Sequence, residues 1–286
     1  MSTSTATRIG VIGAGTMGNG IAQVCAQAGL QVKMVDIADA AVQRGLSTVS
    51  KSLDRLVAKD KISAAEKDAI VGRIAGGTDY AALADCDLVI EAATENVALK
   101  LKILKQLDEL LGEKVVIATN TSSISITQLA AVVRNPGRFI GMHFFNPVPV
   151  MGLVELIRGL QTDDATHTLS DAFVRHIGKT PVTARNSPGF VVNRILCPMI
   201  NEAIFVLQEG LATAEDIDAG MRLGCNHPIG PLALADMIGL DTMLAVMEVF
   251  YEGFNDPKYR PAPLLKEMVA AGRLGRKSGR GFYSYA

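Results

Sequence analysis

The pattern of apolar and polar positions changes character near residue 186. Before it, short apolar runs alternate with longer stretches of helical period; after it only the helical period persists. The runs at 8–12, 31–36, 88–90, 115–118, 139–143, 154–157 and 181–184 read as strands. A helix follows Gly15, carries Met17, Ile21, Val24 and Cys25 on one side and stops at Gly29. Residues 96–111, 126–133 and 166–177 read as further helices. Residues 38–73 are polar and charged and read as two helices, an insertion longer than a usual crossover and expected to project as a helical hairpin. Such alternation predicts an α/β fold, a mostly parallel sheet with helices on both faces.

Beyond residue 186 the reading is all-α. Ser187 suits a helix cap and Pro188 a first helical turn, which predicts one long helix over 188–209. Others are expected at 214–223, 232–238, 242–254 and 262–271. The resulting division is a nucleotide-binding domain over 1–186, with the helical insertion at about 38–73, and a helical domain over 187–286. About 100 residues hide only part of their apolar surface alone. Part of the surface offered by Met243, Leu244, Met247, Val249, Phe250 and Tyr251 is therefore expected to face a second subunit, making a homodimer through the helical domain.

Composition narrows the class. The chain has 286 residues, 49% hydrophobic, with a formal net charge of −1. That balance supplies no general attraction to nucleic acid or an anionic membrane. No apolar run approaches the ~18 residues of a membrane-spanning helix. Residues Met1 to Arg8 lack a hydrophobic core and an Arg-rich amphipathic pattern, and read as a lead-in, not a signal peptide. Four scattered cysteines without a Cys-x-x-Cys predict reduced thiols and a cytoplasmic protein. His167, His176 and His227 have no metal-ligand spacing, so no metal is expected.

The sequence Gly13-Ala14-Gly15-Thr16-Met17-Gly18 follows the first strand and opens the first helix. In that context it is the fingerprint of a Rossmann-type dinucleotide site. Gly13 serves the tight turn, Gly15 the approach of the pyrophosphate and Gly18 the close packing of the helix. Free N–H groups at the helix start attract phosphates. Asp36 closes the second strand, where it can accept hydrogen bonds from ribose hydroxyls and repel a 2′-phosphate. Ile37-Ala38 offers no arginine to receive one, so NAD is favoured over NADP.

A second cluster carries proton chemistry. His143 is expected at the C-terminal end of a strand, and Asn120-Thr121-Ser122-Ser123 follows another strand end. Such ends open onto the ligand crevice of an α/β sheet. Glu155 returns after Pro147 and Pro149, which are expected to force an extended loop. A histidine base, a carboxylate to orient it and a serine to hold a substrate hydroxyl together form a proton-transfer device. Asn193, inside the first apolar helix of the second domain, reads as a buried amide in need of partners. It suits either a structural hydrogen bond between domains or the substrate carbonyl.

With these motifs in place, the chain resembles the 3-hydroxyacyl-CoA dehydrogenases, particularly the bacterial short-chain type acting on 3-hydroxybutyryl-CoA. The resemblance spans nearly the whole length. It is carried by the glycine motif, by Asn120-Thr121-Ser122-Ser123, by His143-Phe144-Phe145-Asn146-Pro147, by Pro188-Gly189-Phe190-Val191-Val192-Asn193-Arg194 and by Lys277-Ser278-Gly279-Arg280-Gly281-Phe282-Tyr283. It implies His143 as catalytic base with Glu155 as its partner, Ser122 at the substrate oxygen and Asn193 beside the reacting carbon. It also implies that Glu95, Lys100 and Asn120 line the cofactor site together with Thr16 and Met17. Coenzyme A is implied to lie along the insertion, near Ser52 and Lys59, with Lys51, Arg55 and Lys61 close by. The terminal Arg273, Arg276, Lys277 and Arg280 read as structural. Dehydrogenases related to 3-hydroxyisobutyrate dehydrogenase share the architecture but use a lysine where Asn193 stands. A non-catalytic NAD-binding relative, such as the lens crystallin of this family, would not need Ser122, His143, Glu155 and Asn193 together.

Overall fold

A computed structural model describes residues 6–285. Most of the lead-in, Met1 to Thr5, lies outside the described residues. The chain divides into two compact units, one ending at Ser187 and one beginning at Pro188.

The first unit runs β1 (Arg8–Ile12), α1 (Thr16–Gln27), β2 (Gln31–Val35), α2 (Asp39–Val57), α3 (Ala64–Gly72), β3 (Ile74–Gly77), β4 (Leu88–Glu91), α4 (Val97–Leu110), β5 (Val116–Thr119), α5 (Ile126–Ala130), β6 (Phe139–Phe144), β7 (Leu153–Arg158), α6 (Asp164–His176) and β8 (Thr180–Arg185). The eight strands form one sheet in the order β3-β2-β1-β4-β5-β6-β7-β8. All neighbours are parallel except β6 and β7. The order reverses between β1 and β4, which puts the ligand crevice of such a sheet at their C-terminal ends.

Strand alternation assigns the two faces. Ile9, Val11, Leu88, Ile90, Val116, Ala118, Ile140, Met142, Val154 and Leu156 share a core with Ile21, Val24 and Cys25 of α1, Val49 and Leu53 of α2, and Phe173 and Val174 of α6. Glu91, Thr119, His143 and Glu155 alternate with these and therefore point to the opposite face. That face is covered by α4 and α5: a side chain at Gly141 would meet Ile126 of α5 at 2.8 Å.

Three expectations need correction in this unit. The strand β3 was not expected, because Ile74-Ala75-Gly76-Gly77 has neither alternation nor bulk. It pairs in parallel with β2, and α2 packs over it; a Cβ on Gly76 would come within 2.5 Å of Val42. The insertion does not project along its length either. Val42, Val49 and Leu53 are buried against the α1 core, and Gly45 lies so close to Ala14 that a Cβ there would meet its carbonyl at 2.8 Å. Its outer side, with Arg44, Lys51 and Arg55, and its far end, with Lys59 and Lys61, stand exposed. Finally, the segment after β6 is a compact turn, not an extended loop: Val150 and Met151 both donate backbone N–H groups to the Pro147 carbonyl.

The second unit comprises α7 (Val192–Gln208), α8 (Ala214–Gly224), α9 (Pro231–Ile238), α10 (Leu240–Phe254) and α11 (Pro263–Ala270). Cys197, Ile200 and Ile204 of α7 pack with Leu232, Met243, Met247, Phe250 and Leu265 in one apolar core. The first helix starts later than expected. Gly189 (φ 73°) and Phe190 (φ 50°) adopt left-handed backbone, so Pro188-Gly189-Phe190 is a turn and the helix begins at Val192. Gly189 is required there: a Cβ would lie 2.2 Å from the Phe250 ring. Of the terminal basic residues, Lys277 pairs with Asp241 at 2.5 Å and Arg276 stacks over Tyr285.

Candidate active site

The turn from β1 into α1 is shaped by its glycines. Gly13 has φ 98°, and a Cβ on it would lie 2.6 Å from the Ala92 carbonyl. A Cβ on Gly18 would lie 1.8 Å from the Gly13 carbonyl, so only glycine lets α1 close on this turn. Gly15 has nothing within 4 Å of its missing Cβ and is exposed. It is also the N-cap of α1, and no side chain caps that end. The first N–H groups of the helix are thus offered to an outside acceptor, with exposed Thr16 and half-buried Met17 beside them. Asp36 accepts hydrogen bonds from Ala14 N and Ile37 N, both at 2.7 Å. Its carboxylate is fixed at the turn with lone pairs to spare, and Ile37 beside it is 89% exposed. These groups fit a dinucleotide: an anion-receiving helix end, an acceptor for ribose hydroxyls and an uncovered apolar side chain.

His143 and Glu155 are direct partners in the antiparallel register of β6 and β7. The His143 Nδ1 lies 2.8 Å from Glu155 Oε2, with Glu155 fully buried and His143 nearly so. The Phe145 ring sits 4.4 Å from the imidazole, centroid to centroid. The turn behind this strand is held by Lys179, which donates to the carbonyls of Val148 at 2.7 Å and Met151 at 2.6 Å. Burial pulls the Lys179 ammonium below its ordinary range.

The adjoining strand end carries the Ser122 loop. Asn120 Oδ1 accepts from Phe144 N at 2.9 Å, which ties the end of β5 to the end of β6. Glu95 gathers the next three residues: its Oε1 accepts from Thr121 Oγ1 at 2.6 Å, from Ser122 N at 3.0 Å, and from the hydroxyls of Ser122 and Ser123 at 3.3 Å each.

Lys100 differs from a lysine lining an open cofactor site. It is 0% exposed, and its ammonium lies 2.5 Å from Glu91 Oε2, 3.3 Å from Thr119 Oγ1 and 3.8 Å from Glu95 Oε2. It is not an ordinary charged helix start. Glu91 and Thr119 were not singled out from the sequence. The available signal was a carboxylate ending the apolar run Leu88-Val89-Ile90.

Asn193 lies in the first turn of α7 and is half-buried, not enclosed within an apolar helix as expected. Beside it, the Arg194 guanidinium stacks 3.7 Å from the Phe254 ring centroid. Ser52 is half-buried on α2, and Lys59 is exposed just past its end. Among the described residues no three His, Cys, Asp or Glu side chains gather as a metal site, and no helix is long and apolar enough to cross a membrane.

Known proteins place this arrangement. Residues 8–187 match the 3-hydroxyacyl-CoA dehydrogenase NAD binding domain, and residues 189–285 match the 3-hydroxyacyl-CoA dehydrogenase C-terminal domain. The chain belongs to the 3-hydroxyacyl-CoA dehydrogenase family. It is 53% identical to a probable 3-hydroxybutyryl-CoA dehydrogenase of Deinococcus radiodurans, over 97% of this chain and 100% of that one. It is 52% identical to a 3-hydroxybutyryl-CoA dehydrogenase of Bradyrhizobium diazoefficiens, over 97% and 95%. The crystal structure of (S)-3-hydroxybutyryl-CoA dehydrogenase from Ralstonia eutropha superposes with a TM-score of 0.97 at 68% identity, covering 99% of this chain and 100% of that one. Like its family, the chain is an NAD-dependent oxidoreductase.

Proposed function

We propose that this dehydrogenase interconverts (S)-3-hydroxyacyl-CoA and 3-ketoacyl-CoA, with 3-hydroxybutyryl-CoA and acetoacetyl-CoA as its short-chain pair. The observation that carries the reading is the buried 2.8 Å contact of His143 Nδ1 with Glu155. An ionised carboxylate only accepts, so Nδ1 bears the proton and Nε2 is the nitrogen assigned to the substrate hydroxyl. NAD, when bound, supplies the hydride acceptor. His143 removes the 3-hydroxyl proton as the substrate is oxidised, and the imidazolium so formed lies against Glu155. In reverse, the imidazolium returns its proton to the keto oxygen.

Ser122 and Asn193 are assigned to the substrate oxygen, and Ser52 and Lys59 to coenzyme A. Gly15, Thr16 and Met17 at the start of α1 are assigned to the pyrophosphate, Gly13 and Gly18 to shaping that cofactor turn, and Asp36 to the adenosine ribose. Asn120 and Glu95 act at the cofactor side by holding the Ser122 loop, with Lys100 behind Glu95. Of the residues expected to offer surface to a second subunit, Met243, Met247 and Phe250 lie in the core of the helical unit and Tyr251 is exposed; with exposed Ile195, Leu211, Leu223 and Met237 it supports a homodimer formed through that unit. Four free thiols support a cytoplasmic enzyme. The test is NADH oxidation with 3-ketoacyl-CoA thioesters of increasing length, beside free acetoacetate. Turnover favouring acetoacetyl-CoA supports the reading; equal use of the free acid would point to a hydroxyacid dehydrogenase instead.

A further inference from the structure

A single buried carboxylate joins three segments around the site. Glu91, the last residue of β4, is 0% exposed. Its Oε1 accepts from Ala93 N at 2.9 Å, which fixes the turn packed against Gly13. Its Oε2 receives Thr119 Oγ1 at 2.7 Å and lies 2.5 Å from Lys100 Nζ. Thr119 is its register partner on β5, one residue before Asn120. Lys100 extends the network to Glu95, which is 45% exposed and collects the Ser122 loop on its other oxygen. Two charges with no exposed surface are costly to bury, and a well-packed apolar pair of similar size is often at least as stable. Stability alone therefore does not account for an ion pair here. Its geometry has a use: it leaves the Lys100 ammonium facing the one carboxylate that orders Ser122.

We propose that Glu91 is a positioning residue, which sets Lys100 against Glu95 and thereby fixes the loop that presents the Ser122 hydroxyl. The proposal rests on the assignment of Ser122 to the substrate oxygen. Glu91 touches neither substrate nor cofactor in this scheme; it acts through Lys100 and Glu95. Removing them frees Glu95 Oε2, and the carboxylate no longer holds Thr121, Ser122 and Ser123 in one arrangement.

The test compares Glu91→Gln, Lys100→Met, the double variant Glu91→Gln/Lys100→Met, and Glu95→Gln alone and combined with the double. Glu91→Gln removes the buried charge 2.5 Å from the Lys100 ammonium and is expected to lower the unfolding midpoint. The double variant removes both charges and is expected to recover most of that midpoint. Its kcat with acetoacetyl-CoA is nonetheless expected to stay about 10–100-fold low, with KM little changed. In the Glu95→Gln background the same double substitution is expected to change kcat by less than about twofold, because both act through one group.

Amide hydrogen exchange of the ligand-free protein gives a readout independent of turnover. Exchange at residues 121–124 is expected to be about tenfold faster in the double variant, with β4 and β5 unchanged. Lys100→Met repeats this measurement should either Gln variant fail to fold. Recovery of kcat together with the midpoint, or unchanged exchange at 121–124, would overturn the proposal. Altered exchange in a protein whose wild type does not reduce acetoacetyl-CoA would reject the substrate assignment and leave the positioning network standing.

Discussion

His143 and Glu155 face each other directly across β6 and β7, with Nδ1 and Oε2 2.8 Å apart. In the proposed mechanism this pairing sets which imidazole nitrogen serves the substrate. Substituting Glu155→Gln keeps the size but removes the fixed acceptor and the charge. Turnover with acetoacetyl-CoA is expected to fall about 10²–10⁴-fold, the range for loss of positioned acid–base catalysis. NADH affinity, measured by fluorescence titration, is expected to stay within about twofold, because uniform binding is untouched. A variant with wild-type turnover would show that the tautomer is set by something else.

Asp36 holds the Ala14 N–H while keeping acceptor capacity for a ribose. Asp36→Ala is expected to weaken NADH binding about tenfold, roughly one charged hydrogen bond's contribution. It is also expected to narrow the preference over NADPH, since no carboxylate remains to repel a 2′-phosphate. Titration of both nucleotides checks this, and unchanged discrimination would count against the ribose assignment.

The thiols make a prediction in the folded protein. Burial pushes Cys25 and Cys197 up to about 12 and Cys86 up to about 11. Cys225 is exposed. A thiolate-specific reagent at pH 8 is therefore expected to label Cys225 rapidly and the other three only on unfolding. Fast labelling of Cys25 would mean that α1 does not pack as described.

Acid should act on a carboxylate other than Glu155, that of Asp108 on α4. Burial raises the Asp108 carboxyl, but Arg134 at 2.7 Å and Arg138 at 2.6 Å outweigh it and hold it below its ordinary value. A carboxylate depressed in the folded state stabilises above its unfolded pKa of ~3.9, and loses that contribution as pH falls through its folded value. Asp108→Asn is expected to lower stability by about 3 kcal/mol at pH 7. The gap to wild type should shrink below pH ~4. Thermal midpoints over pH 3–7 test this, and a gap independent of pH would contradict it.

Much of the molecule was legible before the fold was known, for identifiable reasons. The apolar runs of β1, β4, β5 and β6 are buried on both faces and read as strands from composition alone. The glycine turn was legible because Gly13 and Gly18 meet close backbone approaches that no other residue satisfies, and Gly15 completes their spacing. His143 and Glu155 stood out because their spacing spans a strand, a turn and a returning strand. Other features depended on tertiary context. Ile74-Ala75-Gly76-Gly77 carries no strand signal, and is β3 through its parallel pairing with β2, with Val42 and Leu46 of α2 packed over Gly76. The start of α7 was misplaced because Ser187-Pro188 imitates a helix entry, whereas the Phe250 ring demands a left-handed glycine one residue later. The network of Glu91, Lys100 and Thr119 joins β4, α4 and β5, and only the register of Glu91 with Thr119 brings it together.

The most direct measurement is turnover of acetoacetyl-CoA by His143→Ala beside its NADH affinity. The account predicts a loss of about 10³-fold or more in kcat with NADH binding preserved. Near-normal turnover in that variant would contradict it, since no other group described at this site is assigned to move the proton.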